Sequence, residues 1–478
     1  MNTKAEEGRS ATLEFYGGYW GVMAGFIVMI GGILALTVSG RSMPMAFWVP
    51  ALAGMGTMLL LSKNRSECAD AMIEGMSQKL VITILVALFM GGIFSRLMSA
   101  TGLADGLIWL SLKIGLEGSL FCVITFICGA ILSTATGSAL GTMIALTPVL
   151  YPVGVAVGAS PVAMGGAIIS ASFFGDNIAP VSDTTIASAI TQGTTVAKAV
   201  RARLRYALAS AAIAIVLFMI LGGGGQQTAA DAANFNPNGL IMLVVPILLI
   251  IMMLRDANLL VAIFASVSIG IVIGLVSGLL SPGSILSIDM ESFEVSGIIC
   301  DGIMGMMDAS VFALFVMAIV YIVQATGFLD TMIEKLERFT KTDTSAELIM
   351  GFTAVALSFL TVANTIAIII AGPFAKKVLV DEHHIGPERS AVILDSFSAA
   401  AIGLCPYAFL PMLIVPIATG TGAVVDFTSP QVCLFEFYNI ALLFVMIFAA
   451  VTGWGRTKYR DSPSETVPLR DYVQGTRA

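Results

Sequence analysis

Residues 175–185, Gly-Asp-Asn-Ile-Ala-Pro-Val-Ser-Asp-Thr-Thr, set two carboxylates, Asp176 and Asp183, seven positions apart among an amide and three hydroxyls. They follow residues 118–175, which contain no charged side chain. A carboxylate deep in lipid costs several kcal/mol, so it faces a polar cavity or a partner and does work there. Irregular backbone at that depth has to be buried in protein or line water. Gly175 and Pro180 are expected to stop a helix here, because glycine is permissive and proline lacks the N–H. The freed carbonyls would join the oxygens of Asp176, Asn177, Ser182, Asp183, Thr184 and Thr185 as hard ligands. Such a set suits Na+, and a carboxylate within it can take a proton instead. The structural alternative is a helix cap on Ser182 or Asp183, with the two threonines in the first turn. That alternative weighs more for Asp183 than for Asp176, whose segment offers no cationic partner. A continuous helix would bring both aspartates to one face, but the intervening proline favours a kinked or unwound segment.

Two further polar interruptions stand in apolar segments, each ahead of a proline. "STATGSALGTMIALTP" (133–148) carries Ser133, Thr134, Thr136 and Ser138, and "TVANTIAIIIAGP" (361–373) carries Asn364 and Thr365. A discontinuous helix would present backbone carbonyls and dipole ends to an ion at such places. Close packing of small residues, with hydroxyls bonded back to their own helix, is the alternative. In "AVILDSFSAA" (391–400), Asp395 is the only charge between Arg389 and Asp426. It is a candidate coupling carboxylate, weighed against pairing with Arg389 at the helix end. Asp308 and Glu74 read as interfacial. His383 and His384 sit in a charged loop and read as solvated, with no further Cys or His nearby to complete a metal site.

The elements that must position these groups follow from composition. The 478 residues are 57% hydrophobic and 12% charged, against about 25% charged in soluble domains. Many apolar runs reach the ~20 helical residues that cross a bilayer core, and they do not alternate as barrel strands do. The fold class expected is an all-α polytopic membrane protein with two inverted-topology repeats and broken or re-entrant helices. Spans are predicted at Tyr19–Val38, Met45–Leu61, Leu80–Met98, Leu120–Tyr151, Tyr206–Leu221, Leu240–Leu254, Ala257–Leu280, Ala309–Gln324, Leu348–Ala375 and Val432–Val451. Short apolar segments, Leu103–Leu116 and Phe328–Phe339, accompany them. The interrupted stretches Pro161–Ile190 and Ala391–Ala423 are read as re-entering without crossing. Basic segments at 62–65, 198–205, 335–341 and 456–460 then fall on the cytoplasmic side with both termini. Lys376 and Lys377 fall on the wrong side in this scheme.

The halves look related. Thr101-Gly102 lies over Thr326-Gly327 and Pro148 over Pro373 at an offset of 225, with Pro161 over Pro387 and Pro180 over Pro406 at 226. The chain accordingly divides into an N-terminal hairpin (1–67), a first repeat segment (68–205, repeat proper 68–195), connecting helices (206–299), a second repeat segment (300–430, repeat proper 300–425) and a last span with a cytoplasmic tail (431–478). Opposed copies of this kind are the plan of many secondary transporters. The six cysteines form no CxxC pair and read as free, mostly buried thiols. The net charge of −7 argues against nucleic acid as a partner.

At residues 175–185 the chain resembles the NhaC-type sodium/proton antiporter family, whose hallmark runs approximately Gly-Asp-Lys-x-Ser-Pro-x-Ser-Asp-Thr-Thr. Gly175, Asp176, Pro180, Ser182, Asp183, Thr184 and Thr185 match it. Asn177 stands where the family often has Lys, and Ala179 where it often has Ser. "STATG" and "VANT" are similar to the broken helices of the wider ion-transporter superfamily. The second repeat reads "LDSFSAAAIGLCPYAF" and departs from the family's usual acidic and Pro-Trp pattern. The resemblance implies a plasma-membrane secondary transporter, not an enzyme, that exchanges Na+ for H+ with the motif's aspartates in the ion site. Its partners would be Na+, H+ and the lipid bilayer; Na+ is cargo or coupling ion and no cofactor is expected. A small organic solute and a homodimer stay open. The alternative is a sodium-coupled transporter or exchanger of an amino acid or small carboxylate. An intramembrane aspartyl protease is disfavoured: "FFGDN" lacks the first glycine of a Gly-x-Gly-Asp motif, and no Tyr-Asp lies in a predicted span.

Overall fold

The computed structural model describes residues 13–39, 44–227, 235–255, 257–290, 294–328, 331 and 339–458. Most of the predicted apolar segment 328–339, and the ends of both termini, lie outside them. Among the described residues, ten helices are long and apolar enough to cross a membrane, and the only named sheet is a two-stranded ribbon pairing Ser287–Asp289 with Glu294–Ser296. The chain forms two compact units, 1–84 with 308–336, and 85–307 with 337–478.

In the smaller unit, the helices Tyr19–Val38 and Trp48–Leu61 pack side by side. The indole of Trp48 donates to the Asp308 carbonyl at 2.8 Å. Lys63 pairs with Glu14 at 2.8 Å on the exposed edge.

The larger unit holds the motif. Its first part runs through α1 (Gly118–Thr136), α2 (Ala139–Ala156), α3 (Pro161–Ile178), α4 (Asp183–Gln192) and α5 (Val196–Leu221). Its second part runs through α6 (Asp343–Thr361), α7 (Asn364–Ala375), α8 (Pro387–Gly403), α9 (Phe409–Thr419) and α10 (Phe437–Thr452).

The predicted single span Leu120–Tyr151 is a hairpin. The Gly118 amide at the start of α1 donates to the Val157 carbonyl just beyond α2, at 2.9 Å. The chain reverses at Gly137, whose φ of 64° is left-handed and suits a residue without Cβ. The second hairpin replaces the predicted span Leu348–Ala375. α7 continues through π-helical turns over Lys376–Glu382, and His383 Nδ1 then meets Asp343 Oδ1, at the start of α6, at 3.1 Å. Its tip residue Val362 is left-handed too, at φ 54°; for a β-branched side chain that costs about 1–2 kcal/mol.

The two interrupted stretches, conversely, cross the unit. The Ser160 amide, ahead of α3, donates to the Gly222 carbonyl beyond the C-terminus of α5. Gln192, ending α4, is joined to the opposite end of α5 by residues 193–195. α8 starts at the end that holds Lys458, where the Gly386 amide donates to the Thr457 carbonyl. α9 leads to Val424 at the other end, whose carbonyl accepts from Tyr151 of α2 at 2.8 Å. Re-entry and crossing are therefore swapped relative to the sequence reading in both halves. Within the larger unit, the swap brings Lys376 and Lys377 to the end that holds 198–205 and 456–458. That placement removes the charge violation; hydropathy alone could not show it, because a hairpin and a span of the same apolar length look alike.

The repeat survives at the level of single contacts. α1 and α6 are each 19 residues long and begin and end at the 225-residue offset. Ser133 of α1 donates to the Ser172 carbonyl of α3 at 2.5 Å. Its counterpart Ser358 of α6 meets Ser398 of α8 at 2.8 Å. The two copies enter from opposite ends, which is the inverted-topology arrangement.

Candidate ion-binding site

The unwound segment Ala179–Ser182 between α3 and α4 is where the elements converge. Ala179 is extended at ψ 131°, as a residue before proline prefers, and Pro180 has no amide to offer the Asp176 carbonyl. Gly175 does not end the helix, contrary to the sequence reading, since α3 runs on to Ile178. The glycine serves a close approach instead. A Cβ on it would overlap backbone atoms of Ser133 and Thr134 on α1, so only glycine lets α3 lie directly on the first hairpin. We expect Gly175→Ala to cost about 1–3 kcal/mol by overpacking. A lowered unfolding temperature in detergent, together with slowed ion exchange, is the result to look for.

Asp176 is half-buried, whereas Asp183 is exposed. The Ser182 hydroxyl donates to Asp176 Oδ1 at 2.8 Å, and the Asn364 amide, first residue of α7, reaches Asp176 Oδ2 at 3.4 Å. Ser182 is the N-cap residue of α4 but makes no side-chain cap bond; its hydroxyl is turned to the carboxylate. Thr184 shares a contact with it at 3.0 Å. The tip of the first hairpin closes the other side, with the Cβ position of Gly137 2.6 Å from a methyl of Val181. One carboxylate thus touches the break and the tip of the second hairpin, and the first hairpin's tip abuts the same break.

The remaining predicted residues fall into two groups. Asn177 and Thr185 are buried on the inner side of the break. The Asn177 amide donates to the Tyr438 hydroxyl at 2.8 Å, and its carbonyl accepts from Arg203. Thr185 Oγ1 accepts from Arg203 at 2.9 Å. Thr134 and Thr136 bond back to their own helix at 2.7 and 3.0 Å. Ser138 caps α2 by accepting from the Gly141 amide at 3.1 Å. The Asn364 side chain also accepts from the Thr365 amide at 3.1 Å.

Asp395 is not paired with Arg389. It meets Arg203 Nη1 at 2.6 Å, both side chains fully buried, and accepts from Ser188 at 3.2 Å. Arg389 instead forms a two-pronged bond to Glu347, 2.9 Å on each arm. His383 is likewise not simply solvated: besides Asp343, it contacts the Thr340 carbonyl at 3.0 Å. All six cysteines are free, four of them buried.

Arg203 was missed because its segment reads as a basic loop. α5 begins earlier, at Val196, and its buried face is Ala199, Arg203, Tyr206, Ala207, Ser210, Ala211, Ala214 and Phe218. That alanine-rich stripe at helical spacing, with an arginine inside it, was the available signal. Tyr438 and Ser188 gave none.

The fold is that of a multi-pass α-helical membrane protein. The chain matches the family model described as the Na+/H+ antiporter family over residues 11–223 and 235–454. It belongs to the Na+/H+ antiporter family, and sodium/proton antiport is the function this membership supports. A malate-2H(+)/Na(+)-lactate antiporter of Bacillus subtilis is 25% identical over 65% of this chain and 71% of its own length. A Na(+)/H(+) antiporter, NhaC, of Alkalihalophilus pseudofirmus is 24% identical over 69% of this chain and 73% of its own. Among solved structures, the YdaH transporter of Alcanivorax borkumensis aligns over 80% of this chain and 88% of that one, with 13% identity and a TM-score of 0.38.

Proposed function

We propose that Na+ and H+ compete for Asp176 as the bundle exposes it to alternate sides of the plasma membrane of a bacterium or archaeon. Ser182, Thr184 and the carbonyls freed at the end of α3 complete the cation's oxygen shell, and Asn364 steadies the second carboxylate oxygen. The observation that supports this reading is the placement of Asp176, a half-buried carboxylate set against an unwound backbone and the second hairpin's tip. The C-terminal end is cytoplasmic in this reading, because 198–205, 376–377 and 456–458 share one end of the unit and positive charge collects inside; the basic segment 62–65, after two spans, puts the N-terminus on the same side.

A second reading has its own observation. α2, α4 and α7 all begin beside the break, and helix N-termini attract anions. Asn364 and Thr365 at the start of α7 would then hold the carboxylate of a small hydroxy acid, a class named for the Bacillus subtilis relative.

Proteoliposomes carrying a pH-sensitive dye separate the two readings. Adding Na+ alone is expected to drive proton movement, with K+ inert and malate or lactate without further effect. Proton movement that requires malate or lactate would overturn the first reading in favour of the second.

A further inference from the structure

The break in the second repeat, between α8 and α9, lacks an acid of its own. At the offset of 226 that aligns Pro180 with Pro406, the position of Asp176 is taken by Ile402 and that of Asn177 by Gly403. A carboxylate reaches this break from elsewhere. Glu436, immediately before α10, is fully buried, and its Oε2 lies 2.5 Å from the Cβ position of Gly403. The Asn439 amide sits against the same glycine and donates to the Ala399 carbonyl at 2.9 Å.

Three acceptors there find no hydrogen-bond partner among the described residues: both carboxylate oxygens of Glu436 and the Asn439 side-chain oxygen. The titratable groups facing Glu436 are the buried thiols of Cys405, after α8, and Cys433, before α10. The charged side chains packed inward on neighbouring elements are engaged elsewhere, and Lys198, Arg201 and Arg205 of α5 are exposed. Arg203 is paired with Asp395, and Arg389 and Arg456 with Glu347; Asp176 is held by Ser182. A buried carboxylate with no cation and no donor is an uncompensated charge. One proton removes the charge and creates a donor beside an acceptor that has none.

The placement also links the two breaks. Tyr438, two residues on, accepts the Asn177 amide at the first break, so a single turn of α10 touches both.

We propose that Glu436 is a second proton-carrying carboxylate of the transport cycle, loading and releasing H+ at the second repeat's break while Asp176 serves the first. This rests on the exchange reading above. In proteoliposomes of the purified full-length protein, the reversal potential of Na+-driven exchange gives the number of H+ moved per Na+. Glu436→Gln, which keeps shape and can donate to Asn439, is expected to move one H+ fewer per Na+. An unchanged ratio in an active variant overturns the proposal.

Should Glu436→Gln be inactive, the wild-type protein decides. A hydrophobic carbodiimide reacts with protonated carboxyls, and the modified peptide is read by mass spectrometry. Labelling of Glu436 is expected to fall about tenfold per pH unit above its midpoint. No labelling, or labelling independent of pH, overturns the proposal. Failure of the Asp176 assignment shows separately, as exchange that survives in Asp176→Asn while Glu436 labels normally.

Discussion

Asp176→Asn is expected to abolish Na+-driven proton movement and to leave a folded protein. The amide keeps the volume and can still accept from Ser182, but it neither binds H+ nor supplies an anionic ligand. Loss of a charged partner worth roughly 3 kcal/mol weakens the site by about a hundredfold. Asp183→Asn is expected to have a much smaller effect, because that carboxylate is exposed at the first turn of α4 and exposed charges contribute up to about 1 kcal/mol. Competition adds a pH signature. Na+ binds the deprotonated carboxylate, so raising Na+ lowers the pH at which the site titrates, by about one unit per tenfold Na+ above saturation. Exchange by purified Asp176→Asn at the wild-type rate, or a midpoint indifferent to Na+, would remove Asp176 from the ion site.

Arg203→Met is the second large effect, and it acts on folding. The guanidinium donates to the Asn177 carbonyl, Thr185 and Ser188 and pairs with Asp395, so it ties the end of α3 to the starts of α4 and α5 and to mid-α8. Breaking a buried pair from one side costs about 3–5 kcal/mol, because the remaining carboxylate is left charged in an apolar surround. The double variant Arg203→Met with Asp395→Leu removes both charges and is expected to recover much of that loss in thermal unfolding in detergent. Arg203→Lys keeps the charge but not the fork of donors and falls between. Such outcomes would mark Asp395 as a structural partner. An Asp395→Asn protein of unaltered stability that no longer exchanges ions would restore it as the coupling carboxylate.

The break itself was legible in the sequence because it is local. Pro180 withholds an amide wherever it stands, and an aspartate after a long uncharged run has to be used. Membrane class, the spans Tyr19–Val38 and Ala309–Gln324, and the paired landmarks 225 or 226 residues apart also needed only composition and spacing. What tertiary structure decided was direction and partnership. Hydropathy measures how much apolar chain there is, not whether it crosses or turns back, so the hairpins at 118–156 and 343–382 read as spans and the crossing helices as re-entrant ones. Long-range pairs were beyond reach for a related reason. Arg203 with Asp395, Asn177 with Tyr438 and Glu436 beside Gly403 join residues far apart in the chain, and no spacing rule specifies which distant helix will supply a neutralising partner or leave one out.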